Sequence, residues 1–329
     1  MKNVKKLFMF IFAVVLGIGT IFGLSACGNN NKDDKISVVC SIFPEYDWAK
    51  EVVGENNNVE LTLLLDNGKD LHSYQPTVAD IAKISTCDLF IYVGGESDTW
   101  VADALNNATN KNMQVINLLD VLGDKKKEEE QKEGMQGEEE HEHEHEHEHE
   151  EEEVEYDEHV WLSLKNAQIF VTEIVNKLAI IDSANKDNYS ANATAYNAKL
   201  NTLDTEYQAV VDAGTTKTLL FGDRFPFRYL VDDYKLDYFA AFVGCSAETE
   251  ASFETITFLA GKVDELNLKV ILQIETSDGK IANTIIENTK SKDQKILTLD
   301  SIQNTTTKSG KTYLSIMQSN LEVLKEAVK

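Results

Sequence analysis

What this chain is short of narrows it first. Of its 31 basic residues only two are arginine, and it has just three prolines and four cysteines. No pair of cysteines has the CxxC spacing of a thiolate metal site, there is no HExxH outside an alternating His-Glu run, and there is no GxSxG nucleophile elbow. The sequence grounds for a metalloprotease or a serine hydrolase are therefore missing. Positive charge is scarce as well: the formal net charge is −25, which argues against a nucleic-acid partner. With 42% hydrophobic residues over 329 positions, the chain can pack as two ordinary domains or one large one.

The negative charge is concentrated. Residues 124–158 carry 19 acidic side chains against four lysines, a net of −15, which leaves about −10 for the rest of the chain. Inside that segment "HEHEHEHEHE" alternates His141, His143, His145, His147 and His149 with glutamates. On an extended chain every second side chain shares a face, so the five imidazoles form an accessory collector of labile cations. The segment has almost no apolar residues to offset its ordering entropy, and a mobile loop is expected over 124–158.

The N-terminus combines Lys2, Lys5 and Lys6 with the apolar run "LFMFIFAVVLGIGTIFGL". This has the layout of an export signal. It ends in "LSAC", which resembles a bacterial lipobox. Residues 1–26 then form the signal peptide, Cys27 the lipidation site and 27–35 a polar tether. The folded body is expected outside the cytoplasm, lipid-anchored at the cell membrane. Of the remaining thiols, Cys40, Cys87 and Cys245, a Cys40–Cys87 disulfide stays open, with buried free thiols the plainer reading.

From residue 36 onward short β-rich runs alternate with helical stretches: "ISVVCSIF", "VELTLLL", "DLFIYVGG" and "MQVINLL" read as strands. That alternation implies right-handed βαβ crossovers and a parallel sheet. After helical stretches at roughly 161–182 and 186–213 it restarts, with strands at "KTLLFG", "LDYFAAF", "KVILQIE" and "KILTLD". Within 186–213, Tyr189, Ala193, Tyr196, Leu200, Leu203, Tyr207 and Val210 recur at spacings of four and three, one apolar stripe on a long helix. The expected fold is α/β, with two parallel-sheet βα lobes joined by a long spine helix and a metal cleft between them. The N-terminal lobe takes 36–123 and 159–185, the linking helix 186–213 and the C-terminal lobe 214–329.

Ligands of open parallel sheets bind beyond the carboxyl ends of the strands. Those positions carry His72, His159, Asp223 with Arg224, Glu275 and Asp300. His72 and His159 are the only histidines outside the repeat. Either alone reads as an ordinary loop histidine, but imidazole nitrogens joined by carboxylate oxygens suit Zn²⁺ or Mn²⁺. Glu248 and Glu250 are weaker cleft candidates. With only two arginines in the chain, both within "GDRFPFR", Arg224 reads as a bidentate partner that orients a carboxylate such as Glu275 or Asp300. An ordinary ion pair is the alternative.

"GKDLHSYQPTVADIAKISTCDLFIYVGGESDTW", "DEHVWLSLKNA" and "TLDSIQNTTTKSGKTYLSIMQSN" together resemble the zinc- and manganese-binding receptor lipoproteins of metal ABC transporters, the ZnuA- and TroA-like cluster A-I solute-binding proteins. The resemblance implies metal ligands at His72, His159 and Asp300. The family's third ligand falls on Arg224, which has no lone pair to give. Asp223 or Glu275 is therefore expected to complete the site. It also implies a separately encoded permease and cytoplasmic ATPase, capture and release rather than catalysis, and a monomer. The His-rich loop favours zinc, with manganese the alternative. A surface zinc buffer or adhesin is the rival from another class.

Overall fold

The computed structural model describes residues 35–137, 155–246 and 250–329. Cys27 and the repeat histidines His141, His143, His145, His147 and His149 lie outside the described residues, as does Glu248. Residues Ile36–Lys329 form one compact unit.

Two four-stranded parallel sheets make up the two lobes. The first has β1 (Ile36–Cys40), β2 (Val59–Leu63), β3 (Leu89–Tyr92) and β4 (Gln114–Asn117) in the order β2-β1-β3-β4. The second has β5 (Thr218–Phe225), β6 (Asp237–Val243), β7 (Val270–Gln273) and β8 (Lys295–Thr298) in the order β6-β5-β7-β8. The helices α1 (Phe43–Val53), α2 (Val78–Thr86), α3 (Val101–Asn106), α4 (Leu118–Leu122) and α5 (Leu164–Ile181) belong to the first lobe. After α6 (Lys186–Ala213) come α7 (Arg228–Tyr234), α8 (Phe253–Leu266), α9 (Lys280–Asn288) and α10 (Tyr313–Ala327).

Local chemistry explains the helix starts. Thr77 and Asp80 form a reciprocal capping box at α2, and the Ser163 hydroxyl accepts from Asn166 N–H at α5. In α6 the buried residues are Tyr189, Ala193, Tyr196, Leu200, Leu203, Tyr207 and Val211, the stripe seen in the sequence with its last contact moved one residue on. At ~1.5 Å per residue its 28 residues span about 42 Å. That stripe packs on α1 and α5 of the first lobe and on α10 of the second. One apolar cluster consequently runs from Val38 and Phe90 through Tyr196 to Phe221 and Tyr313, and a smaller one lies around Leu259 and Ile271. The lobes are also tied by hydrogen bonds: Trp161 Nε1 donates to Ser301 O at 2.9 Å, and Tyr313 Oη to Trp161 O at 2.7 Å.

Two expectations change. The first concerns the acidic segment, whose described ends are docked on the body. Glu128 bridges Tyr156 in antiparallel fashion, Lys127 N–H donates to Tyr229 Oη at 3.0 Å, and Gln136 bridges Phe242 on the edge strand β6. Met135 is buried there. Backbone pairing to an open sheet edge supplies the ordering that apolar burial alone could not. The second concerns β5, which runs on through Asp223 and Arg224 past a register shift after Phe221. Those two residues are therefore in the strand rather than in the loop after it. Cys40 and Cys87 are free and buried.

Candidate metal centre

His72 sits in a single 3-10 turn, Leu71–Ser73, whose entry is capped by the Asp70 carboxylate accepting from His72 N–H at 3.0 Å. His159 precedes another short turn and is fully buried, with its ring against Trp161 at a centroid distance of 5.2 Å. Asp157 accepts from both His159 N–H at 2.8 Å and His159 Nδ1 at 3.1 Å. A carboxylate oxygen can only accept here, so Asp157 keeps the ring proton on Nδ1 and turns the Nε2 lone pair toward the cleft.

The sequence's two histidines are brought together: His72 Nε2 lies 3.1 Å from His159 Nε2. On the far side of the His72 ring, Nδ1 meets Ser97 Oγ at 2.8 Å and Glu158 Oε2 at 3.6 Å. Glu158 is buried and its other oxygen accepts from Ser97 N–H at 2.9 Å. Gly95, at φ +82°, makes room for it, because a Cβ there would come within 2.4 Å of Glu158 Oε1. Burial, followed by the neighbouring His159 and Arg224, pulls the His72 pKa down to about 3 against the opposing pull of Asp70. The ring is neutral at physiological pH and its lone pair is free for a cation.

Arg224 does orient a carboxylate, but it is Asp70. Arg224 Nη2 donates to Asp70 Oδ2 at 2.7 Å across the lobes, and Nη1 donates to Ser246 O at 3.4 Å. Glu275 and Asp300, the partners expected from the sequence, are engaged elsewhere because the strand holding Arg224 turns it toward the first lobe. Glu275 accepts from Ser301 N–H at 2.7 Å and from its hydroxyl, while Asp300 accepts from Ile302 N–H at 2.9 Å and Lys311 Nζ at 3.0 Å. Asp223 accepts from Arg224 N–H at 2.8 Å and Ile274 N–H at 3.3 Å. Between them Glu275 and Asp300 brace a turn in which Ile302 takes φ +64°, a strained value for a β-branched residue.

That turn delivers Gln303, which the sequence reading passed over although it stands in the quoted "LDSIQ". With its amide nitrogen turned toward Asp70, the Gln303 N–H₂ group donates to both Asp70 oxygens, at 2.8 and 3.0 Å. Its oxygen then lies 3.1 Å from His159 Nε2. Asp70 was equally visible, two residues before His72, but nothing in the sequence marked its partner. Two imidazole nitrogens and an amide oxygen thus converge on one point, an arrangement that a cation reconciles. Tetrahedral zinc with Zn–N of about 2.0–2.1 Å sets two nitrogens about 3.3 Å apart, close to the spacing found.

The family model described as zinc-uptake complex component A, periplasmic, matches residues 38–327. The zinc-binding lipoprotein AdcA of Streptococcus pneumoniae R6 is 31% identical over 305 residues, covering 92% of this chain and 58% of the relative, so the chain spans little more than half of that protein. The high-affinity zinc uptake system protein ZnuA of Bacillus subtilis 168 is 31% identical over 312 residues, with 93% of each chain covered. The crystal structure of the Zn(II)-bound ZnuA-like domain of Streptococcus pneumoniae AdcA superposes with a TM-score of 0.68 at 27% identity, covering 89% of this chain and 99% of that domain.

Proposed function

Since the chain belongs to the zinc-uptake complex component A family, we propose that its cleft captures Zn²⁺ outside the cytoplasm and hands it to an ABC-transporter permease driven by a cytoplasmic ATPase. The observation that carries this reading is the 3.1 Å approach of the His72 and His159 Nε2 atoms, each ring anchored from behind by Ser97 or Asp157. His72 and His159 are ligands in this reading. Gln303 offers an oxygen, while Glu275 and Asp300 hold the turn that carries it. The outer nitrogen of each ring is committed to a hydrogen-bond partner, Ser97 Oγ or Asp157, and in this reading the site binds and releases an ion rather than turning over a substrate. Lipidation at Cys27 would hold the receptor beside its permease, and the repeat His141–His149 would raise the local cation concentration.

The continuous core under α6 resists wide opening, so release is assigned to the loops around His72, Gly244 and Gln303 rather than to a hinge between lobes. The test is zinc titration calorimetry on a chain lacking only 138–154, which keeps the docked ends of the acidic segment in place. One tight site should remain, and His72→Ala or His159→Ala should abolish it. A tight site that survives both substitutions would sink the reading.

A further inference from the structure

The turn after β6 brings a third soft donor to the two histidines. Among the described residues, His72, His159 and Cys245 have ligand atoms that all lie within 4.8 Å of one another. Resting on the receptor function proposed above, we infer that Cys245 is a protein ligand of the cargo ion, which the cleft takes through two imidazoles and one thiolate.

The turn is built to put the thiol there. Gly244 lies against the His159 ring so closely that a Cβ would be 2.9 Å from His159 Cε1 and 2.9 Å from Phe225 O. The absent side chain lets the backbone carrying Cys245 rest on the ligand ring itself. Cys245 N–H donates to Glu129 Oε1 at 3.3 Å, and the next carbonyl, Ser246 O, accepts from Arg224. Cys40 and Cys87 are fully buried in the first lobe's core, whereas Cys245 is only partly buried. Among the described residues the group of His72, His159 and Cys245 contains none of the carboxylates expected from the sequence, Asp223, Glu275 and Asp300.

The geometry closes with a small movement. A tetrahedral ion with Zn–S of about 2.3 Å wants sulfur about 3.6 Å from each nitrogen, so a side-chain turn of roughly an ångström completes the set. On binding, the metal–sulfur bond forms, the S–H bond breaks and its proton leaves to solvent, with no change of oxidation state. Thiolate with imidazole selects zinc over manganese, which prefers oxygen donors. The discrimination that two histidines and carboxylates would leave open is thereby decided in favour of zinc.

The experiment is cobalt(II) titration of the full chain followed by absorption, beside Cys245→Ser, His72→Ala and His159→Ala variants. The wild type should develop a near-ultraviolet sulfur-to-cobalt charge-transfer band that Cys245→Ser loses while still binding cobalt in the cleft. Zinc affinity of Cys245→Ser should fall at least about tenfold, because even outer-shell partners are worth 10–100-fold. Both histidine variants should weaken the band together with the cleft site. Cobalt bound in the cleft without a band, or a band that persists in Cys245→Ser, would overturn the thiolate and leave the two-histidine receptor intact. A band unaffected by both histidine variants would equally overturn it, by placing the sulfur at another site. Cobalt and zinc uptake indifferent to all three substitutions would overturn the receptor reading itself.

Discussion

The ion pair between Arg224 and Asp70 should stabilise the closed lobes while opposing the cargo, and the two effects can be separated. Removing one partner of a fully buried pair costs about 3–5 kcal/mol, whereas exposed pairs contribute about 0–1. The two side chains here are 15% and 18% exposed at 2.7 Å, so Arg224→Gln should cost about 2 kcal/mol. For a body of roughly 290 residues, an unfolding entropy of about 2.1 cal/mol/K per residue gives about 0.6 kcal/mol per kelvin. The expected loss in the metal-free melting temperature is therefore about 3 °C. Asp70→Asn should cost a similar amount, since it keeps the cap on His72 N–H but strands the guanidinium. The double variant should lose about 2 kcal/mol rather than about 4, because the second substitution removes a group already left without its partner. Zinc supplies the opposite sign. Deleting the Arg224 cation should enlarge the zinc-induced rise in melting temperature, and deleting the Asp70 anion should shrink it. Melting curves of the four proteins with and without zinc measure all of this. Additive losses in the double variant, or a zinc-induced rise that shrinks in Arg224→Gln, would refute the reasoning.

Three further outcomes are expected. Burial raises the Asp47 pKa to about 6, against the Tyr313 N–H it accepts from at 2.8 Å. Its folded pKa then exceeds the unfolded value, the native state holds the extra proton, and stability falls as pH rises from about 4 to 6, by up to about 3 kcal/mol. Asp47→Asn should remove that slope in urea unfolding at pH 4.5 and 7, and an unchanged slope would exclude Asp47 as its source. Trp161→Phe leaves Ser301 O without its interlobe donor and should cost about 1–3 kcal/mol, read by chemical denaturation; a loss below about 0.5 would show that the bond is immaterial. Gly244→Ala drives a methyl into the His159 ring and should weaken zinc binding while leaving secondary structure intact, as checked by calorimetry beside circular dichroism; wild-type affinity would mean that the turn can retreat freely.

The parts of this protein legible along the chain are those governed by short-range periodicity. Strand and helix alternation identified two parallel sheets, and the spacing from Tyr189 to Tyr207 identified the helix that runs between them. Rarity also spoke: two histidines outside a repeat and two arginines among 31 basic residues mark His72, His159 and Arg224. Which atoms each would face was not encoded locally. Arg224 meets Asp70, 154 positions away, because β5 runs through it and aims it across the lobes. Gln303 enters the site on a turn braced by Glu275 and Asp300, in which Ile302 takes a positive φ, and that bracing turns those carboxylates toward backbone and side-chain donors. Cys245 stood in the sequence as one thiol among four, with nothing in its spacing to mark it. A donor set is a point in space fixed by loop register and strand length from both lobes at once, and composition or pattern cannot specify such a point. The sequence therefore determined the scaffold and the metal-seeking residues, while tertiary packing decided which of them converge.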